Sequence, residues 1–339
     1  MCTQNPVPRS FVETLRPTDF HKTLSGYYFV KNGQFSYIWL YVIGIIITHP
    51  ICVYAALKSL NPYTWTDANV KTWMMACCLS FYSNIGTIAG VHRLWAHRAY
   101  QASFPLRVFL MLGHVLTAQI SVYTWARKHR VHHKYADTDG DPHNARRGFF
   151  FAHMGWVFYR KHHPEFVSQI SKVNVQDLVS DPVVMFQFNH YAKLFFIFGF
   201  LLPVSTCYFV FGDTLVNSIL IVVMLRVFIS QHGTLFINSA AHMYGDAPYD
   251  KNIDPRQNSW VSFGSVGEGY HNFHHTFPHD YASSEDGCKI NPSKWFIELM
   301  GYLGLAWKLR RVPDHVISAR IAKNNPDARD NKRCLPKVI

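Results

Sequence analysis

VFLMLGHVLTAQISVYTW, residues 108–125, is the stretch on which the fold turns. It approaches the roughly 20 apolar residues that span a bilayer core as helix, yet it carries His114, Gln119, Ser121 and Thr124. Histidines flank it: HRLWAH at 92–97 before, HRVHH at 129–133 after. If the stretch crosses a membrane, the two boxes face opposite sides and share no site. If it lies along the membrane, or dips in without crossing, they share one. A third box, HNFHH at 271–275, repeats the frame of the second, a histidine followed three and four places later by two more. The repeated frame favours the stretch that does not cross.

In a helix, positions i, i+3 and i+4 lie on one face, so HxxHH points three imidazoles at a common place. Neutral imidazole binds iron, zinc and copper, and the lack of cysteine partners argues against a structural zinc finger. The two triads, His92, His97 and the lone His242 make nine candidate ligands, His129, His132, His133, His271, His274 and His275 being the rest. One metal takes four to six, so nine imply two metals. His92 and His97 are five apart, about 140° around an α-helix, so a bend or two different metals is expected there. Asn238 stands one turn before His242 on the same face, an amide oxygen suited to act through water. His114 and His232 sit in apolar stretches and read as hydrogen-bonded core. His143, His153, His162, His163, His190, His279 and His315 read as ordinary.

The 339 residues are 49% hydrophobic and only 16% charged, against about 25% charged in a soluble domain. The net charge of +12 sits beside apolar runs, which suits an anionic leaflet better than nucleic acid. Seven scattered cysteines form no CxxC pair, and the first 30 residues carry no signal-peptide core.

Uncharged stretches over 35–57, 72–91 and 194–212 have spanning length, and 214–238 does so around Arg226. With 108–125 as a non-spanning, membrane-associated helix, four spans return every box to one side. The proposed outer loops hold only Lys58 and Lys71, which puts the boxes and both termini in the cytosol. The expected fold is therefore an all-α integral membrane protein, four transmembrane helices with a cytosolic helical cap carrying a histidine-rich dimetal site. A cytosolic segment 1–34 precedes the 35–321 domain, and 322–339 reads as a flexible tail. Arg226 calls for a buried partner. A helix over 217–242 rises about 38 Å and should project beyond the membrane.

HRLWAHRAY (92–100), HRVHHKYADTDGDPHNARRGFFFAHMGW (129–156), NSAAH (238–242) and VGEGYHNFHHTFPHDY (266–281) together closely resemble the animal and fungal acyl-CoA desaturases, the stearoyl-CoA Δ9-desaturase group, over about 35–321. The resemblance implies an endoplasmic-reticulum membrane enzyme with a di-iron centre that uses O2 to insert a cis double bond into a saturated C16–C18 fatty acyl-CoA. It implies one iron on His92, His97, His133 and His274 with Asn238 through water, and another on His129, His132, His242, His271 and His275. Arg127, Arg160 and Lys161 match positions at the CoA headgroup, Gln119, Trp125 and Thr234 the bend of an acyl tunnel, Ser80 and Asn84 its far end. No HPGG haem motif is present, so electrons are expected from NADH through cytochrome b5 reductase and free cytochrome b5. An abstraction from an unactivated methylene needs a metal-based oxidant rather than acid–base chemistry.

The chain departs from the family where QIS (119–121) and VYTWARKHR (122–130) stand for QND and VYEWARDHR, and Leu235 for a tryptophan. These changes spare the histidines and bear on the headgroup. Asn84 is larger and more polar than the residue common there, which bears on chain length and double-bond position. Competing readings are another regiochemistry, an acyl-lipid substrate, a hydroxylase or, from another class, a non-catalytic zinc-binding membrane receptor.

Overall fold

The computed structural model describes residues 39–59, 66–158, 163–285 and 290–324. The 1–34 segment, most of the expected tail, Arg160 and Lys161 lie outside them. The regular structure of the described chain is helical apart from one ladder, in which β1 (Gln101–Ala102) runs antiparallel to β2 (Ala306–Trp307), and two isolated bridges at Gln257. In order come α1 (Trp39–Ser59), α2 (Asp67–Ala96), α3 (Phe104–Val115), α4 (Val122–Tyr135), α5 (Phe149–His153), α6 (Pro164–Lys172) and α7 (Gln176–Val179). Then follow α8 (Pro182–Val210), α9 (Leu215–Met243), α10 (Ser259–Gly264), α11 (His271–Thr276), α12 (Pro292–Tyr302) and α13 (Asp314–Asn324). The expected tail thus begins inside a helix, and the Asn324 side chain donates to the carbonyls of Ala247 and Pro248.

Among the described residues α2, α8 and α9 are long and apolar enough to cross a membrane, while the first expected span is represented by a shorter apolar stretch, Val42–Lys58. Local chemistry starts each long helix. Thr66, Asp181 and Thr214 cap α2, α8 and α9 by accepting from the backbone N–H of Asn69, Val183 and Asn217, each cap worth about 1 kcal/mol.

The 108–125 stretch does not form the single helix expected of it. Helix α3 ends at Val115 and α4 starts at Val122, where the Ser121 hydroxyl accepts from the Thr124 N–H and ends any continuous helix. Ala118 and Ile120 in the turn take left-handed backbone, φ 56° and 64°. Helix α3 descends against α2: Tyr82 donates to the Phe109 carbonyl at 2.7 Å, and a Cβ on Gly90 would meet Leu110. Helix α4 then runs back, so the stretch is a helical hairpin against the end of α2. A Cβ on Gly86 would stand 2.4 Å from the His114 nitrogen, closer than any packing allows. Close backbone approach of small residues is how such helices associate in lipid. Gly86→Val is expected to push α3 off α2 and cost about 1–3 kcal/mol or more. The check is a lower melting temperature, or loss of the monodisperse peak, in detergent.

Arg226 receives no carboxylate among the described residues. Its guanidinium donates to the carbonyls of Val222 (2.6 Å), Leu116 (2.7 Å) and Gly199 (3.3 Å). The Leu116 carbonyl stands at the C-terminal end of α3, where helix carbonyls lack partners and a cation is favoured. Arg226 thereby ties the tip of the hairpin to α8 and α9, a structural role.

Helix α9 runs unbroken from Leu215 to Met243, as the 217–242 reading expected. From Gly86 to Ala96, α2 is wound as a π-helix, which matters for the histidines.

Candidate metal centre

The π-helix resolves the five-residue spacing of His92 and His97. In a π-turn the N–H of residue i+5 bonds the carbonyl of residue i, and His97 N–H bonds the His92 carbonyl at 3.0 Å. The two rings come to 4.8 Å. Neither a bend nor separate metals is needed, because the winding itself puts both imidazoles on one face.

Four helices carry the histidines into two groups. His92 and His97 at the end of α2, His129 and His133 on α4 and His274 on α11 form one. His132 on α4, His242 on α9 and His271 and His275 on α11 form the other. Within each, one nitrogen per ring lies within 4.8 Å of all the others. His274 Nε2 is 2.9 Å from the Nε2 of both His92 and His133. His271 Nε2 is 2.9 Å from His242 Nε2 and 3.1 Å from His275 Nε2. The structure places His129 in the first group, 2.9 Å from His97, where the resemblance implies the second. Asn238 is half-buried on α9, one turn before His242.

Three carboxylates that sequence reasoning missed orient these rings. Asp141 Oδ2 accepts from His132 Nδ1 at 2.9 Å and Asp137 Oδ2 from His242 Nδ1 at 2.8 Å. Glu268 Oε2 lies 3.1 Å from His92 Nδ1, while its other oxygen pairs with buried Arg93. His143 joins them, its ring 4.3 Å from His132 and its Nδ1 3.5 Å from Asp141. The signal was present: ADTDGDPH follows the second box and GEGYH opens the third. Histidine ligands commonly give their second nitrogen to a carboxylate.

Electrostatics keep the rings available. Burial pushes the pKa of His97, His129, His133, His271, His274 and His275 well below the ordinary imidazole value, and the neighbouring rings push the same way. These side chains are neutral at neutral pH, with lone pairs to offer. Burial opposes the charge of Asp141 and Asp137, but His132 and His242 overcome it and hold both below the usual carboxylate range. For Glu268 burial is likewise outweighed, by His92 and Arg93, down to about 2. A neutral His132 or His242 that donates from Nδ1 to its carboxylate turns an Nε2 lone pair to the cluster. Converging lone pairs in a buried pocket form donor sets that could hold metal cations. All-imidazole donors fit transition metals rather than calcium or magnesium, which take oxygen.

Beside the first group is a polar corner. Gln119 Nε2 donates to Thr234 Oγ1 at 2.9 Å, Trp125 Nε1 lies 3.4 Å from Gln119 Oε1, and the Trp125 ring stacks on His129 at 4.8 Å. The hairpin tip, α4 and α9 therefore meet at the clustered histidines. Arg127 donates twice to the Ile170 carbonyl. Ser80 and Asn84 are half-buried on α2, to either side of Ser83, whose hydroxyl meets Ser230 of α9 at 3.2 Å.

Histidines outside the two groups also find partners, as the reading of His114 and His232 as hydrogen-bonded core expected. His114 bonds Thr87 and the Ile120 carbonyl, and His279 bonds the His97 carbonyl. His49, His232 and His153 form a line ending on the Ser239 hydroxyl, with steps of 3.1, 2.9 and 3.0 Å.

Comparison with known proteins adds to this geometry. Residues 71–283 match the model of a family described as fatty acid desaturase. The chain is similar to Acyl-CoA desaturase 1 of Tachysurus fulvidraco, 45% identical over 286 residues, 84% of each chain. It is 43% identical to Stearoyl-CoA desaturase 5 of Homo sapiens over 288 residues, covering 84% of each. It is also 43% identical to Acyl-CoA Delta12-desaturase of Acheta domesticus over 307 residues, 89% of this chain and 84% of that one.

Proposed function

We propose, from the premise that this chain belongs to the fatty acid desaturase family and is an oxidoreductase of the acyl-CoA desaturase kind, that it places a cis double bond at Δ9 of a saturated C16–C18 acyl-CoA. The reading includes two irons on the nine histidines with Asn238 through water, O2 as co-substrate, and electrons from NADH through cytochrome b5 reductase and cytochrome b5. It also places the chain in the endoplasmic-reticulum membrane, with four spans and a cytosolic cap. The observation that carries it is the meeting of the Gln119–Trp125–Thr234 corner with the His92/His129 side of the cluster.

The irons, when bound, supply the oxidising power that a methylene C–H bond demands. The protein's own residues do the rest. Asp137, Asp141 and Glu268 fix ring tautomers, so the donor set is in place beforehand. Gln119 and Thr234 bind each other across the hairpin and α9. An acyl chain passing them is forced to turn beside Trp125, which selects the carbon pair and favours the cis product. Ser80 and Asn84 stand where the chain's methyl end is expected. Arg127, with Arg160 and Lys161, is assigned to the CoA phosphates, for which guanidinium and ammonium groups are suited.

Relatives named for stearoyl-CoA and for Delta12 desaturation match at similar identity, so regiochemistry needs its own measurement. Expression in a yeast lacking its own desaturase, followed by fatty-acid profiling, is expected to yield cis-Δ9 C16 and C18 monoenes. A double bond elsewhere overturns the Δ9 assignment, and hydroxylated or unchanged acyl chains overturn desaturation.

A further inference from the structure

A cleft of about 510 Å³ opens between the end of α2, the β1–β2 ladder and the start of α8. Arg98, Arg107, Lys308 and Arg310 line it, against Asp177 and Asp181. Both carboxylates are already taken. Asp177 is gripped by Arg98 and Arg130 at 2.6–2.9 Å. Asp181 is held by Arg107 at 2.8 Å and by the Trp95 indole N–H at 3.0 Å. Lys308 and Arg310 are exposed, and their charged ends meet no carboxylate among the described residues. The cleft therefore keeps a surplus of positive charge. Two of its cations, Arg98 and Lys308, sit in left-handed backbone, φ 54° and 51°, a conformation that collects at ligand sites when the fold enforces it.

Immediately below runs an apolar stripe. Trp295, Leu299 and Tyr302 follow one another at helical spacing on the outer face of α12, 51%, 53% and 89% exposed. Leu303, Phe104 and Trp307 are exposed as well, Trp307 lining the cleft and the Phe104 ring lying 5.9 Å from the guanidinium of Arg107, which also lines it. Phe296 of α12 stacks on Phe109 of α3 at 6.0 Å, which sets the stripe beside the first arm of the hairpin, at membrane level on the reading that the hairpin dips into the bilayer. Exposed aromatics at that level are interface anchors.

We propose that this cleft binds the headgroup of an anionic phospholipid from the surrounding leaflet. Its phosphate would be held by Lys308 and Arg310, and its acyl chains would lie along the stripe. A zwitterionic headgroup leaves the surplus charge unmatched. A soluble phosphate makes no use of the apolar stripe that continues from the cleft. The proposal goes beyond the desaturation reading and needs only that the chain be embedded in a membrane.

The test uses the full chain reconstituted in nanodiscs of phosphatidylcholine and phosphatidylserine, re-extracted into detergent, with retained lipids counted by mass spectrometry. Phosphatidylserine is expected to be enriched over its share of the bilayer. The K308Q/R310Q double variant should hold it about thirtyfold more weakly, two interfacial cations having been removed, with retained phosphatidylcholine unchanged. Absence of enrichment in the unaltered protein overturns the proposal, whether or not the variant folds. So does equal retention by a folded variant. Displacement of the retained lipid by inorganic phosphate or free coenzyme A would assign the cleft to soluble phosphates and overturn the lipid assignment.

Discussion

His274→Ala is expected, on the proposed two-metal reading, to abolish desaturation and to lower the metal content from two ions per chain to one or fewer. His274 Nε2 stands 2.9 Å from both His92 and His133, so it is the ring that links α11 to α2 and α4. Groups one layer behind a metal ligand typically matter by about 10–100-fold. Loss of a ligand at the centre of its group should exceed the upper end of that range. Elemental analysis of natively purified protein, beside product formation in the desaturase-deficient yeast, measures both effects. Retention of two ions with normal turnover would remove His274 from the centre. A two-ion protein containing zinc instead of iron and consuming no O2 with substrate would favour the receptor reading.

The sequence made the histidines legible as one set because repeated spacing is a one-dimensional trace of helical geometry. It also made legible that the boxes on either side of 108–125 meet in one cluster, since parity depends only on order along the chain. It did not show how the stretch turns back between them. The break at Ser121 depends on a cap, and the fit of Gly86 against His114 depends on two distant backbones meeting. The same limit hid the π-winding of Gly86–Ala96. A five-residue spacing looks wrong for an α-helix, and only the His97-to-His92 bond shows that the helix itself has changed. Arg226 was visible as a cost, yet its partners are backbone carbonyls, which no side-chain pattern reveals. The three carboxylates lay in plain view beside the boxes. Their meaning appears once each is seen against a ring nitrogen.

Asp137→Asn tests that meaning most sharply. The carboxylate accepts from His242 Nδ1 through Oδ2 and from the Ala145 N–H through Oδ1. An asparagine keeps the shape, and its carbonyl can still accept from Ala145. Its amide then turns an N–H toward His242 Nδ1, and two donors cannot face each other. The ring escapes by moving its proton to Nε2, the nitrogen 2.9 Å from His271 Nε2. A lone pair offered to the second group becomes an N–H that blocks it. Metal affinity, read by chelator competition, is expected to fall about 10–100-fold, and activity with it, while detergent melting changes little. Asp137→Ala should behave differently, because it leaves the Ala145 N–H and the His242 Nδ1–H unsatisfied together and lowers stability as well as metal binding. If Asp137→Asn binds metal as tightly as the unaltered chain, the carboxylate serves only the loop, and the tautomer account of the centre fails.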